Sequence, residues 1–213
     1  MEFCQEMTLA KYIQEHSNSK ISNKIIYTFT YQLIKSLAKI HTKNIIHANI
    51  KPENIFVIND NSIKIGDFSS AKDIELKFKK EKNKLKSPHS QSYQNIMELN
   101  DNEEFEINYR EESLYSSPEQ KKIKGVSKKS DIYSVGLVLY EMCECFPDDD
   151  KRNKKINFLK KFKTFDEKFK KDYELQCNLI LQMIEDNEEK RPSCEELLES
   201  KEMQSWKSII SEN

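Results

Sequence analysis

A mainly α-helical fold carrying one small β-hairpin is predicted by three features of this 213-residue chain. Across residues 22–41, the apolar Ile26, Phe29, Leu33, Leu37 and Ile40 recur three, four, four and three positions apart, which sets them on one helical face to be buried. Across residues 131–143, Ile132, Val135, Leu139 and Met142 repeat at helical spacing in a stretch almost free of charge, as in a helix sunk in a core. Between these helices, residues 54–58 and 62–66 are short β-rich runs separated by Asn59-Asp60-Asn61, a tight-turn sequence, with Asp67 at the exit of the hairpin.

The later elements rest on shorter signals. Leu175, Leu179, Met183 and Ile184 mark another amphipathic helix, and Pro192-Ser193 opens a last one running through Leu197 and Leu198. Residues 74–112 break the pattern: a Lys77-Phe78-Lys79-Lys80 run, a Ser/Gln/Asn stretch, then an acidic block over 101–106. That composition buries too little apolar surface to offset the entropy of ordering, so a mobile loop is expected there. No internal repeat is visible.

Composition narrows the function classes. Charged residues make up 33% and hydrophobic ones 37%, the balance of a heavily solvated single domain and not of a membrane protein. The net charge of −1 argues against a nucleic-acid binder, which carries a basic excess on one face. The first residues have neither a basic start nor an apolar run, so no secretory signal is read there, and no apolar stretch is long enough to span a bilayer. Five cysteines without a C-x-x-C pair fit reduced thiols, and a cytoplasmic or nuclear location is expected.

The chemistry sits in His47-Ala48-Asn49-Ile50-Lys51-Pro52-Glu53-Asn54, followed thirteen residues after Asn54 by Asp67-Phe68-Ser69. These two stretches resemble the protein-kinase catalytic loop, H-R-D-L-x-x-x-N, and the D-F-G that follows it. Further matches occur in the same order. Met1-Glu2-Phe3-Cys4 looks like the hinge, residues 9–16 like the short helix after it, and Ser117-Pro118-Glu119 like the end of the activation segment. Asp131-Ile132-Tyr133-Ser134-Val135-Gly136 looks like the buried central helix, and Arg191-Pro192 like the start of the last one. The chain is similar to the C-terminal large lobe of a serine/threonine protein kinase. It is closest in flavour to the stress kinases of translation initiation factor 2 alpha.

The resemblance implies a division of the chain: hinge 1–6, catalytic loop 47–54, activation segment 67–119 with its mobile insert at 74–112, a helical remainder over 120–200, and a tail over 201–213. It also implies roles. Lys51 is expected to reach the transferred phosphate. Asn54 and Asp67 would hold magnesium and, with the hinge backbone near Glu2 and Cys4, the nucleotide. His47 is read as a packed structural residue. Glu119 is expected to pair with Arg191, and Asp131 to accept bonds from the catalytic-loop backbone.

Asn49 is the departure. It stands where the family places the catalytic Asp, and a carboxamide cannot take a proton from a substrate hydroxyl. Ala48 replaces the arginine that pairs with a phosphorylated activation loop in many kinases, Ser69 replaces the D-F-G glycine, and Glu112 falls where a threonine is usual. With glycine only at 66, 125 and 136, the chain cannot supply a G-x-G-x-x-G phosphate loop. A chain clipped at an internal methionine and a chain complete as written both remain open.

The reading is therefore a kinase-like domain with an impaired site, acting by binding or scaffolding a protein partner. The alternative is a piece of an active kinase that transfers the ATP γ-phosphate to a protein hydroxyl. ATP and magnesium are expected to bind weakly or not at all. The lysine-rich residues 151–171 are read as a solvated face, with substrate docking as the alternative that the resemblance implies. Oligomeric state is not determined by the sequence.

Overall fold

The computed structural model of the protein describes residues 7–73, 113–121 and 125–211. Helix α1 (Leu9–Glu15) starts at Thr8, whose hydroxyl accepts from Lys11 N, and buries Leu9, Tyr12 and Ile13. Helix α2 (Asn23–His41) is capped by Ser22 and buries Ile26, Phe29, Leu33 and Leu37, with Ile34 and Thr30 beside them. Ile40, read from the sequence as part of this stripe, is only partly buried against the core.

Two short ladders follow. Strand β1 (Ile45–Ile46) pairs antiparallel with β4 (Lys72–Asp73), and β2 (Ile55–Asn59) pairs with β3 (Ser62–Ile65) in the register Ile55 to Ile65 and Val57 to Ile63. The hairpin turn is an Asn/Asp turn in which Asn61 N donates to Asn59 Oδ1 at 2.9 Å. Gln32 of α2 pins it by donating to Asn61 O at 2.6 Å and accepting from Ile63 N at 3.0 Å. The catalytic-loop sequence thus lies between β1 and β2, and β3 leads straight to Asp67, so one hairpin sets the two motifs side by side.

Helix α3 (Lys128–Glu144) is the buried axis: every residue over 130–143 is shielded from solvent. It packs on α2 and on α6 (Glu174–Met183). At Gly136 an added Cβ would stand 2.8 Å from Ile184 Cγ2 and 2.9 Å from Met183 Cβ, so this glycine provides space for the approach of the two segments. The last helix of the sequence reading, α7 (Cys194–Glu199), begins at a reciprocal cap in which Ser193 Oγ accepts from Glu196 N and Glu196 accepts from Ser193 N.

Three helices lie beyond the sequence reading. Lysine-rich residues 151–171 contribute to α4 (Asp149–Phe162) and α5 (Glu167–Asp172), each opened by an aspartate cap, Asp148 and Asp166. In α4 only Ile156 and Leu159 are buried, too few to write an apolar stripe. Phe158 and Phe162 are about half exposed there, their ring centroids 4.7 Å apart. Residues read as a tail form α8 (Lys201–Ser211), because Met203 and Trp206 insert into the core and Trp206 Nε1 donates to Asn23 Oδ1 at 2.9 Å. The insert at 74–112 and the segment 1–6 lie outside the described residues. Among the described residues, no helix is long and apolar enough to cross a membrane.

Candidate active site

Asp131 organises the loop from below. Its carboxylate, 1% exposed, accepts from His47 N at 2.9 Å and Ala48 N at 2.8 Å, and His41 Nε2 lies 2.9 Å from Oδ2. Three donors at a buried carboxylate satisfy its lone pairs. These bonds hold Ala48 at φ 62°, a left-handed conformation that costs a non-glycine residue about 1–2 kcal/mol and that the backbone would otherwise leave. His47, fully buried, receives Asn49 N on Nδ1 at 3.3 Å and donates from Nε2 to Gly66 O at 2.9 Å. That pair of contacts fixes the tautomer and ties the loop to the residue preceding Asp67. The His47 ring also meets Phe68 edge to face at 4.8 Å.

Asp67, at φ 55°, is exposed, and its carboxylate is surrounded by this chain's own donors. Oδ2 receives Asn49 Nδ2 at 3.1 Å and Asn54 Nδ2 at 3.2 Å. Oδ1 receives Ser69 Oγ at 2.5 Å and Ser69 N at 3.3 Å. The Ser69 hydroxyl is the largest influence holding the Asp67 carboxyl below the usual range, opposed by partial burial and helped by the Ser69 amide and Asn49. Asn54 also donates to Asn49 O at 2.9 Å, so Asn49, Asn54 and Asp67 form one connected cluster. Lys51 is in the same loop, partly buried, just before a 3-10 turn at Pro52–Asn54.

A carboxylate offers about four acceptor positions, and here four donors point at them. A magnesium ion requires oxygen ligands at about 2.0–2.1 Å in near-octahedral order. As arranged, Asp67 does not fit such an ion.

Glu119 and Arg191 anchor the other side. Arg191 Nη1 donates to Glu119 Oε1 at 2.6 Å and Nη2 to Oε2 at 2.8 Å, and Ser130 Oγ donates to Oε1 at 2.7 Å. Burial works against the charge on Glu119, but these bonds outweigh it and hold the carboxyl down at about 2. Gln120 connects this end to the loop: Nε2 donates to Ala48 O at 3.4 Å, while Oε1 accepts from Ser117 N and Oγ.

The structure therefore brings Asn49, Asn54 and Asp67 into contact around His47 and Asp131, with Lys51 in the same loop. Glu119 and Arg191 meet at the N-terminal end of α3, beside Lys129 and Ser130. Glu2, Cys4 and Glu112 lie outside the described residues. Three contributors were not read from the sequence. His41 falls four positions after Leu37 on the buried face of α2, which was its only signal, and Gln120 gave none. Ser69, which the sequence marks only as a replacement for the D-F-G glycine, is not left-handed here and acts through its hydroxyl.

Residues 1–203 match the protein kinase domain family. The chain is 28% identical over 212 residues to an interferon-induced, double-stranded RNA-activated protein kinase of Mus musculus, covering 98% of this chain and 35% of that protein. It is 34% identical over 227 residues to a eukaryotic translation initiation factor 2-alpha kinase of Plasmodium berghei, covering 92% and 8%. It is 29% identical over 215 residues to a probable serine/threonine-protein kinase of Dictyostelium discoideum, covering 94% and 16%. The chain thus spans about a third or less of the length of these relatives. By that match and by its helical large-lobe architecture, the chain belongs to the protein kinase domain family, with a likeness to the kinases of initiation factor 2 alpha.

Proposed function

We propose that this chain is a catalytically impaired protein-kinase-like domain that acts by binding or scaffolding a protein partner. The observation that carries the reading is the side chain of Asn49, whose Nδ2 faces Asp67 Oδ2 at 3.1 Å. Phosphoryl transfer to a protein hydroxyl uses a carboxylate at this position to receive the proton. An amide nitrogen turned toward an acceptor is itself a donor, and general-base assistance of about 10²–10⁴-fold is lost. The transition state is loose and needs little deprotonation, which leaves room for a slow residual rate.

What remains around the loop favours a platform. The Asp131 bonds to residues 47 and 48 and the Glu119–Arg191 pair keep the large-lobe scaffold rigid without serving chemistry directly. A protein partner is the ligand class this reading implies, and ATP with magnesium is bound weakly or not at all. A reducing compartment, cytosol or nucleus, suits the four described cysteines, all buried free thiols.

A second reading, a piece of a working serine/threonine kinase, draws on the nearness of Asn54 to Asp67 at 3.2 Å with Lys51 in the same loop. The two readings separate in one assay. Transfer of labelled γ-phosphate to a protein substrate is measured for the chain alone and for the chain fused behind a kinase small lobe, with Asn49 and with Asn49→Asp. The impaired reading expects a rate at least about 100-fold below the usual 1–100 s⁻¹ with Asn49 in place. An ordinary rate with residue 49 untouched overturns it.

A further inference from the structure

We propose that Ser69, acting with Asn49, closes the Asp67 carboxylate to divalent cations. The inference rests on the impaired-kinase reading and names the ligand chemistry of the same site. Asp67 is exposed, so a cation can reach it, and occupancy is decided by competition with the donors already there. Each carboxylate oxygen has two: Ser69 Oγ and N on Oδ1, Asn49 Nδ2 and Asn54 Nδ2 on Oδ2.

Two of those four donors come from side chains where the resemblance predicts none, a glycine at 69 and a carboxylate at 49. An aspartate at 49 would face Asp67 with a second negative charge and favour a cation between them; the asparagine puts an N–H there instead. Ser69 is the stronger closure. Its hydroxyl bond of 2.5 Å lies at the short end for a hydroxyl on a carboxylate, and it is formed two residues along the same turn, so little chain freedom is lost in making it. The same residue adds its backbone N–H at 3.3 Å, which together cover Oδ1 from one side. A magnesium ion, which sheds its water reluctantly and tolerates little angular error, has to displace this pair or the two amides before it can bind.

The test measures the cation directly. Manganese(II) is titrated into the purified 213-residue protein and free ion is counted by electron paramagnetic resonance. Wild type is expected to bind manganese only in the millimolar range or weaker. Ser69→Ala and Ser69→Gly are expected to tighten manganese binding about tenfold, the scale of one charge-assisted hydrogen bond. Adding Asp67→Asn to either variant should abolish the gain, which locates the ion at residue 67.

Micromolar, Asp67-dependent manganese binding by wild type overturns the proposal. So does an unchanged affinity in both Ser69 variants, or a weakened one, which would make the hydroxyl a ligand and not a block. Tight cation binding without phosphate transfer defeats this inference and leaves the impaired-kinase reading standing. Transfer at an ordinary rate defeats that reading itself.

Discussion

Arg191 spends all five of its N–H groups inside the protein, and Glu119 takes two of them. Nε donates to Glu185 O at 2.5 Å, Nη1 to Glu119 Oε1 and to Lys129 O at 3.0 Å, and Nη2 to Glu119 Oε2 and to Asp186 O at 3.4 Å. The guanidinium also lies 4.9 Å from the centre of the Tyr133 ring, at 1% exposure. A planar fork with five donors matches this set of acceptors; a lysine ammonium has three donors and no plane.

Removing either partner strands a buried charge. Arg191→Ala is expected to lower stability by about 3–5 kcal/mol, and Arg191→Lys to recover only part of it. Glu119 adds a pH dependence. Its carboxyl titrates at about 2 in the folded chain against an ordinary 4.5, so its contribution is complete above about pH 4.5 and disappears as pH falls toward 2. Urea unfolding followed by circular dichroism reads both effects. A loss under about 1 kcal/mol for Arg191→Ala would show that the pair is not the anchor it looks to be.

Glu141 has the opposite sign. At 3% exposure in α3, burial pushes its carboxyl up to about 7, although Tyr115 OH donates to Oε2 and Arg152 Nη1 stands 3.7 Å from Oε1. Between about pH 4.5 and 7 the folded chain holds a proton that the unfolded chain has released, so stability falls as pH rises through this window and levels off above it. The rise from an ordinary 4.5 to about 7 sets an upper scale of about 3 kcal/mol. Glu141→Gln should remove most of that slope and be the more stable protein at pH 8. Melting curves of both proteins at pH 5 and pH 8 provide the comparison, with roughly 2–4 °C expected per kcal/mol. Parallel pH profiles for the two would contradict the assignment.

Gly136 is needed for its missing side chain and not for an unusual backbone angle. In an ordinary helix Gly→Ala gains about 1 kcal/mol. Here the new methyl would meet Ile184 Cγ2 at 2.8 Å and Met183 Cβ at 2.9 Å, and overpacking of that kind costs about 1–3 kcal/mol. Gly136→Ala is therefore expected to destabilise by about 1 kcal/mol net. Combined with Ile184→Ala, it should cost less than the sum of the two single changes. A stabilised single variant would mean that α3 and α6 separate easily.

The fold was legible where burial repeats along the chain. Residues 22–41 and 131–143 announce their helices because each has an apolar residue at nearly every turn, and the Asn59-Asp60-Asn61 turn between β-rich runs announces the hairpin. Helices α4 and α8 were not legible for the converse reason: their anchors are a few side chains, Ile156 and Leu159 in one, Met203 and Trp206 in the other, too few to repeat along the helix. Asn23, which receives the Trp206 N–H, lies 183 positions away.

The sequence by itself determined the large-lobe architecture, the membership of Asn49, Lys51, Asn54 and Asp67 in one loop-and-hairpin unit, and the absence of a carboxylate at position 49. Those are matters of residue type and spacing, which are local and are written directly in the chain. Only the tertiary structure decided that the Asn49 amide turns onto Asp67, that the Ser69 hydroxyl closes the opposite oxygen, and that Arg191 finds an acceptor for every donor. The direction of a hydrogen bond depends on groups that meet only after α2, α3 and the hairpin have packed, and periodicity carries no information about which way a polar side chain will face.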